Sequence, residues 1–115
     1  MTDMVNLPPH YRGHASGIEC IDVTRHLTFD VGNAVKYVWR AEAKNGREDL
    51  EKARWYLRDA IEHKDIVQHT LDRKFLLHTV VESETDPNRA SFFLSVFRGD
   101  LDSALNAVNA MIDAD

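Results

Sequence analysis

The stretch Asp30-Val31-Gly32-Asn33-Ala34-Val35-Lys36-Tyr37-Val38-Trp39-Arg40-Ala41-Glu42-Ala43-Lys44 (30–44) decides how the chain is read. Ala34, Val35, Val38 and Ala41 recur at the three-to-four spacing of one buried helix face. Asn33, Lys36, Tyr37, Arg40 and Lys44 fall on a second, polar and cationic face. Asp30 has the side chain of an N-cap, and Asn45-Gly46 supplies residues that tolerate a positive φ at the far end. An amphipathic helix over 30–44 is therefore expected.

The same periodicity extends outward. Upstream, Ser16 and Glu19 have capping-box spacing, which predicts a helix starting at Ser16 with Ile18 and Ile21 on its apolar face. Met1–Pro9 reads as an extended entry and 10–17 as a loop. Downstream, Leu50, Ala53, Leu57 and Ile61 predict a helix beginning at Arg47 or Glu48. No Gly or Pro interrupts the chain from Arg47 to Asp86. Either one rod runs to about Glu84, carrying Leu71, Phe75, Leu76, Val80 and Val81, or a polar break falls between His63 and Asp65. Asp86-Pro87 starts a further helix, because Pro is preorganised for the first helical position. Arg98-Gly99 closes it, and Asp100 caps the last, whose Leu101, Leu105, Val108 and Ile112 face inward.

The fold expected is all-α, a small helical domain of five or six helices. Residues 1–64 carry the distinctive motifs. Residues 65–115 read as a helical extension that either packs on them or forms an oligomer interface. Phe92, Phe93, Phe97 and Leu101 are the apolar residues available for either role, and a homo-oligomer is expected.

Composition excludes several classes. With 43% hydrophobic residues the 115-residue chain can bury a core. The net charge is −5, and the acidic surplus lies entirely after residue 64. Direct, sequence-blind nucleic-acid binding is not expected of such a chain. One cysteine, Cys20, permits neither an intrachain disulfide nor a cysteine zinc site and suits a reducing cytoplasm. No apolar run approaches the ~20 residues of a membrane span. There is no phosphate-binding Gly-rich loop with Lys-Ser/Thr, no Gly-x-Ser-x-Gly elbow and no His-Glu-x-x-His helix.

Lys36, Arg40 and Lys44, at i, i+4 and i+8, place three cations on one side of a helix. Like charges at that spacing oppose one another by a few tenths of a kcal/mol. Acidic neighbours, solvent or an anionic ligand such as a phosphate compensates them. Asp49, Lys52 and Tyr56 line one face of the next helix. Lys52 either pairs with Glu48 or meets a phosphate as a mobile point charge. Asp49 either favours the helix dipole or accepts a proton or metal. Glu19 and Asp22, at i, i+3, either cap and face solvent or hold Mg²⁺ through oxygen ligands.

The order of motifs is more specific than any one of them. His10-Tyr11, Gly17-Ile18-Glu19-Cys20-Ile21-Asp22, Gly32-Asn33-Ala34-Val35-Lys36-Tyr37-Val38-Trp39-Arg40, Lys44-Asn45-Gly46 and Glu48-Asp49-Leu50-Glu51-Lys52-Ala53 follow in sequence. Over about residues 8–62 this resembles a small domain family found mostly in bacteriophages and labelled nucleotide-kinase-like or SaV-like. The resemblance implies a phage protein of the infected host's cytoplasm, acting on deoxynucleotides as a monophosphate-kinase-like phosphotransferase without a phosphate loop. In that reading His10, Tyr11, Asn33, Lys36, Tyr37, Arg40, Lys44 and Asn45 bind the nucleotide. Asp49, Lys52 and Glu19 serve the transfer, and Glu19 and Asp22 hold Mg²⁺. Tyr11, Tyr37 or Trp39 stacks on the base. A non-catalytic nucleotide-binding or host-inhibiting phage protein uses the same cations. A fainter resemblance, to all-α pyrophosphohydrolases of the MazG type, rests on Glu19-x-x-Asp22. It departs at Lys52, a cation where that family places a metal-binding carboxylate.

Overall fold

The computed structural model describes residues 14–41, 46–68 and 71–114, with Leu71 and Arg73 as backbone only. Six helices follow in order: α1 (Cys20–Thr24), α2 (Phe29–Arg40), α3 (Gly46–Glu62), α4 (Leu71–Ser83), α5 (Pro87–Arg98) and α6 (Leu101–Ala114). There is no strand among the described residues. None of these helices is long and apolar enough to cross a membrane.

Ala34, Val35 and Val38 of α2 are fully buried and Ala41 is buried beyond its end, as the stripe predicts, and Val31 joins them. α3 packs beside α2 through Leu50, Ala53, Leu57 and Ala60. The two helices run antiparallel: the end of α2 meets the start of α3 at Arg40–Asp49, and Phe29 of the first turn of α2 meets Tyr56 further along α3. α6 closes α3 from another side, where Arg47 Nη1 donates to the Ile112 carbonyl at 3.4 Å. One continuous core draws on all six helices. The described residues after 64 therefore share the core of the first part. Of the apolar residues available for an interface, Phe92, Phe93 and Leu101 are buried within the single chain, and Phe97 is partly buried against the core.

Two boundaries differ from the sequence reading. The helix expected at Ser16 begins at Cys20, and its N-cap residue, Glu19, makes no side-chain cap. The Ser16 hydroxyl instead accepts from the Ile18 N–H and pairs with His14 Nδ1, so no capping box forms. α2 is capped by Thr28, whose hydroxyl accepts from the Val31 N–H, and Asp30 sits in the first turn. Its expected C-terminal end, 42–44, lies outside the described residues.

The long Gly- and Pro-free stretch is two helices, the second of the two alternatives, with the break at His63–Asp65. α3 stops where Lys64 enters the left-handed region at φ 57°. The Asp65 N–H then bonds the Ala60 carbonyl and the Lys64 N–H bonds the Ile61 carbonyl, the paired bonds of a Schellman motif. α5 ends identically with Gly99 at φ 75°, where Asp100 N–H reaches Ser95 and Gly99 N–H reaches Val96. The same turn is thus made once with glycine and once with lysine, and only glycine enters it without a Cβ clash. Lys64→Gly is accordingly expected to stabilise the protein by about 1 kcal/mol, and Gly99→Ala to destabilise it by about as much. Urea unfolding of the two variants checks the opposite signs.

The turn at Lys64 brings Val67 back into the core. Downstream, Asp86 caps α5 by accepting from the Asn88 N–H, with Pro87 at its first position. Asp100 caps α6 by accepting from the Ser103 N–H at 3.0 Å. Among the described side chains of α4, Leu77 and Val80 are buried, while Phe75 points outward.

A buried polar brace ties these parts together. Arg89 Nε donates to Glu84 Oε1 at 3.1 Å, and its Nη1 donates to the Val38 carbonyl of α2. His14 Nε2 lies 3.1 Å from the same Glu84 oxygen. Because His14 Nδ1 accepts from the Ser16 N–H, the hydrogen-bond pattern places the ring proton on Nε2, facing the carboxylate. Trp39 and Phe93 pack on the imidazole, with centroids 4.9 and 5.9 Å away.

Burial disfavours the Glu84 charge, yet Arg89, the Asp86 N–H and His14 together hold its carboxyl below the ordinary 4.5. A carboxyl lowered on folding stabilises the native state above its unfolded pKa and loses that contribution as the pH falls through the folded value. The melting midpoint should therefore fall between about pH 5 and pH 3. Glu84→Gln should be less stable at neutral pH and show a flatter acid limb. Thermal melts across that range measure both.

Candidate functional site

The antiparallel α2–α3 pair carries an aromatic and cationic face. Tyr37 and Tyr56 stack across the two helices, with centroids 5.9 Å apart and planes 15° from parallel. Three cations gather on Tyr37. Lys36 Nζ is 4.5 Å from the ring centroid, Lys52 Nζ 5.5 Å and the Arg40 guanidinium carbon 5.9 Å. All three are within cation–π range of one ring, whose electron-rich face offsets part of their mutual repulsion.

The helical spacing explains the convergence. Lys36 and Arg40 are one turn apart on α2, and Lys52 and Tyr56 are one turn apart on α3. Phe29 and Trp55 lie edge-on to Tyr56, with centroids 6.1 and 5.1 Å away. Both are large apolar side chains left mostly in water, 76% and 61% exposed. The face therefore joins charge to open aromatic surface.

The cations are not equivalent. Arg40 Nε lies 3.3 Å from Asp49 Oδ2, and Asp49 is only 1% exposed. A carboxylate so deeply buried holds the guanidinium in place and is out of reach of a bulky ligand. Lys52 pairs with Glu48 at 3.4 Å in an exposed i, i+4 contact, worth at most about 0.5 kcal/mol. Lys36 makes no ion pair with a described residue. It lines a groove of about 210 Å³ with Thr24, Leu27, Thr28, Phe29, Gly32 and Asn33. That volume is below the ~300–1,000 Å³ of drug-sized ligand sites and suits a phosphate or a sugar. The Asn33 amide donates to the Phe29 carbonyl at 2.8 Å, which leaves its side-chain oxygen as an acceptor beside the groove.

Residues 5–58 match a family model described as a protein of unknown function, DUF3310. The matched segment covers α1, α2 and most of α3, and with them every residue of the aromatic and cationic face. No curated protein and no solved structure matches the chain.

The other expected site residues fall elsewhere. His10, Tyr11, Lys44 and Asn45 lie outside the described residues. Trp39 is 5% exposed in the core against His14 and Phe93, so it cannot stack on a base. Glu19 is exposed at the start of α1. Asp22 lies 3.9 Å from Arg25 and borders a different groove, with His26, Asp72 and Phe75. Among the described residues, neither belongs to a set of three ligand atoms close enough to share a metal ion. Burial raises the Cys20 thiol to about 12, with Lys36 opposing, so it is an inert core residue.

Sequence reasoning does not single out Phe29 or Trp55 as surface aromatics. The available signal was their placement: Trp55 lies off the Leu50, Ala53, Leu57, Ile61 stripe of α3, and Phe29 precedes the apolar stripe of α2. It also overlooks a second cluster. Asp59 and His63 are i, i+4 on α3, and Asp30 approaches them from the first turn of α2, with their ligand atoms within 4.8 Å of one another.

Proposed function

We propose that the chain is a nucleotide-binding protein whose α2–α3 face holds the phosphates with Lys36, Lys52 and Arg40. The observation that carries this reading is the gathering of three cations on the Tyr37 ring, beside exposed aromatic surface. Phosphate oxygens leave water only for several charged donors at once, and charge-assisted bonds are the strong ones. A base has a π face of its own and stacks on Phe29, Tyr56 or Trp55 without sequence-specific contacts. Asn33 and the groove beside Lys36 receive a phosphate or the sugar. Asp49 positions Arg40 and takes no part in proton transfer.

Phosphoryl transfer asks a protein chiefly for positioning and charge neutralisation, which is what this face provides. The kinase-like reading therefore remains the proposed activity, with a non-catalytic nucleotide-binding role as its rival. Chromatography of purified protein incubated with mixed nucleoside mono-, di- and triphosphates separates them. Redistribution of phosphate among nucleotides supports transfer. Retention of unchanged ligand supports binding alone, and release of pyrophosphate or monophosphate supports hydrolysis. Calorimetry with the same mixture showing no heat of binding would overturn nucleotide recognition itself.

A further inference from the structure

We propose that Asp30, Asp59 and His63 form a binding site for one divalent first-row transition ion, with zinc as the representative. The site stands apart from the nucleotide reading and requires no nucleotide.

Three observations converge on it. The first is geometric. One ligand atom from each residue lies within 4.8 Å of the other two, so small side-chain rotations bring all three onto one centre. Asp59 and His63 are four residues apart on one helix, a spacing that aims two ligands at a common point. The third ligand comes from a different helix.

The second observation is the donor set. One imidazole nitrogen with two carboxylate oxygens is a borderline combination that suits zinc and its neighbours. Magnesium and calcium prefer oxygen throughout. Three protein ligands also leave a fourth tetrahedral position for water or another ligand.

The third observation is an uncompensated charge. The Asp30 and Asp59 carboxyls each bring an oxygen within 4.8 Å of the other, and Asp65 adds a third negative group, held by the Thr28 hydroxyl at 2.7 Å. No lysine or arginine forms an ion pair with Asp30, Asp59 or Asp65 among the described residues. The nitrogen donor beside them is His63, whose Nδ1 lies 3.4 Å from Asp59 Oδ1 and 2.9 Å from the Asp59 carbonyl oxygen. The two carboxylates repel one another, and a divalent cation between them removes that repulsion.

The fold holds the ligands at this point. Thr28 caps α2 while its hydroxyl donates to Asp65, which fixes the chain beyond α3 against the start of α2. The left-handed turn at Lys64 ends α3 immediately after His63. Asp59 lies one turn beyond Tyr56, so the ion would sit beside the aromatic face, ~4.5 Å further along the helix axis.

Isothermal titration of untagged full-length protein with zinc chloride near neutral pH tests the proposal. It predicts one ion per chain and at least tenfold weaker binding in His63→Ala and in Asp59→Asn. His63 is exposed, so its variant should retain native circular dichroism. Asp30→Asn provides a more specific signature. It should weaken zinc binding at least tenfold and also raise the melting midpoint of the metal-free protein, because it relieves the carboxylate repulsion. Cobalt(II) should give the absorption of a four-coordinate centre, and millimolar magnesium should not displace zinc. Zinc affinity unchanged in His63→Ala or Asp30→Asn would place the ion on other histidines and overturn the proposal. Displacement of zinc by magnesium would overturn the ion class.

Discussion

Replacing Arg89 with alanine is expected to lower the unfolding free energy by about 3–5 kcal/mol. Arg89 is 4% exposed and joins α5 to Glu84 and to a backbone carbonyl of α2. Its loss removes packing on Phe93, whose centroid is 5.8 Å from the guanidinium. More importantly, it leaves the Glu84 carboxylate buried with only the Thr85 and Asp86 N–H groups and His14 as partners. An isolated buried charge is far less favourable than a buried pair, so the half-broken brace is worse than none. Against a typical total of about 5–15 kcal/mol, the variant should be marginal at physiological temperature. Arg89→Lys should recover only part of the loss, because an ammonium cannot span Glu84 and the Val38 carbonyl as the guanidinium fork does. Urea unfolding followed by circular dichroism gives both numbers. A change under about 1 kcal/mol for the alanine variant would show that the brace contributes no more than an ordinary surface contact.

The second large effect concerns the α2–α3 face. Lys36→Ala and Lys52→Ala together should weaken nucleoside triphosphate binding by about a hundredfold, at about 1.5 kcal/mol for each charge-assisted contact. Neither side chain is buried, and Lys52 gives up only an exposed pair with Glu48. The melting midpoint should therefore change little, which separates loss of recognition from loss of fold. Arg40 is deliberately left in place, since its removal would strand Asp49 in the core. Raising the salt from about 50 to 200 mM should weaken the unaltered protein more than the double variant, because screened attraction is what the lysines contribute. Equal affinities in calorimetry would remove the phosphate role from this face.

These expectations show which features were legible in the amino-acid order. The apolar stripe of α2 was readable because Ala34, Val35 and Val38 obey a local period. So were the Asp86-Pro87 start and the Gly99 stop, where residue type dictates backbone geometry. The stop at Lys64 was legible only as one of two alternatives, since lysine enters a left-handed turn only where tertiary packing imposes it, here with Val67 returning to the core. Lys36, Arg40 and Lys52 were visible as cations on helix faces, and Lys52–Glu48 as a local pair. That Tyr37 lies among all three, and that Asp49 lies beneath Arg40, depends on the register between two helices, which no local pattern encodes. The Glu84–Arg89–His14 brace was illegible for the same reason. Periodicity marks apolar residues for burial and says nothing of which charged ones accompany them.

α6 closes against α3, and that arrangement has a consequence for synthesis. On the ribosome the α2–α3 hairpin emerges early and can pair through its own valines and leucines. The surface of α3 reserved for α6 then stays bare until the final helix clears the exit tunnel. Nascent chains stalled before residue 101 would display that apolar strip to one another and to holdase chaperones, so premature termination should yield aggregates, without a smaller folded product.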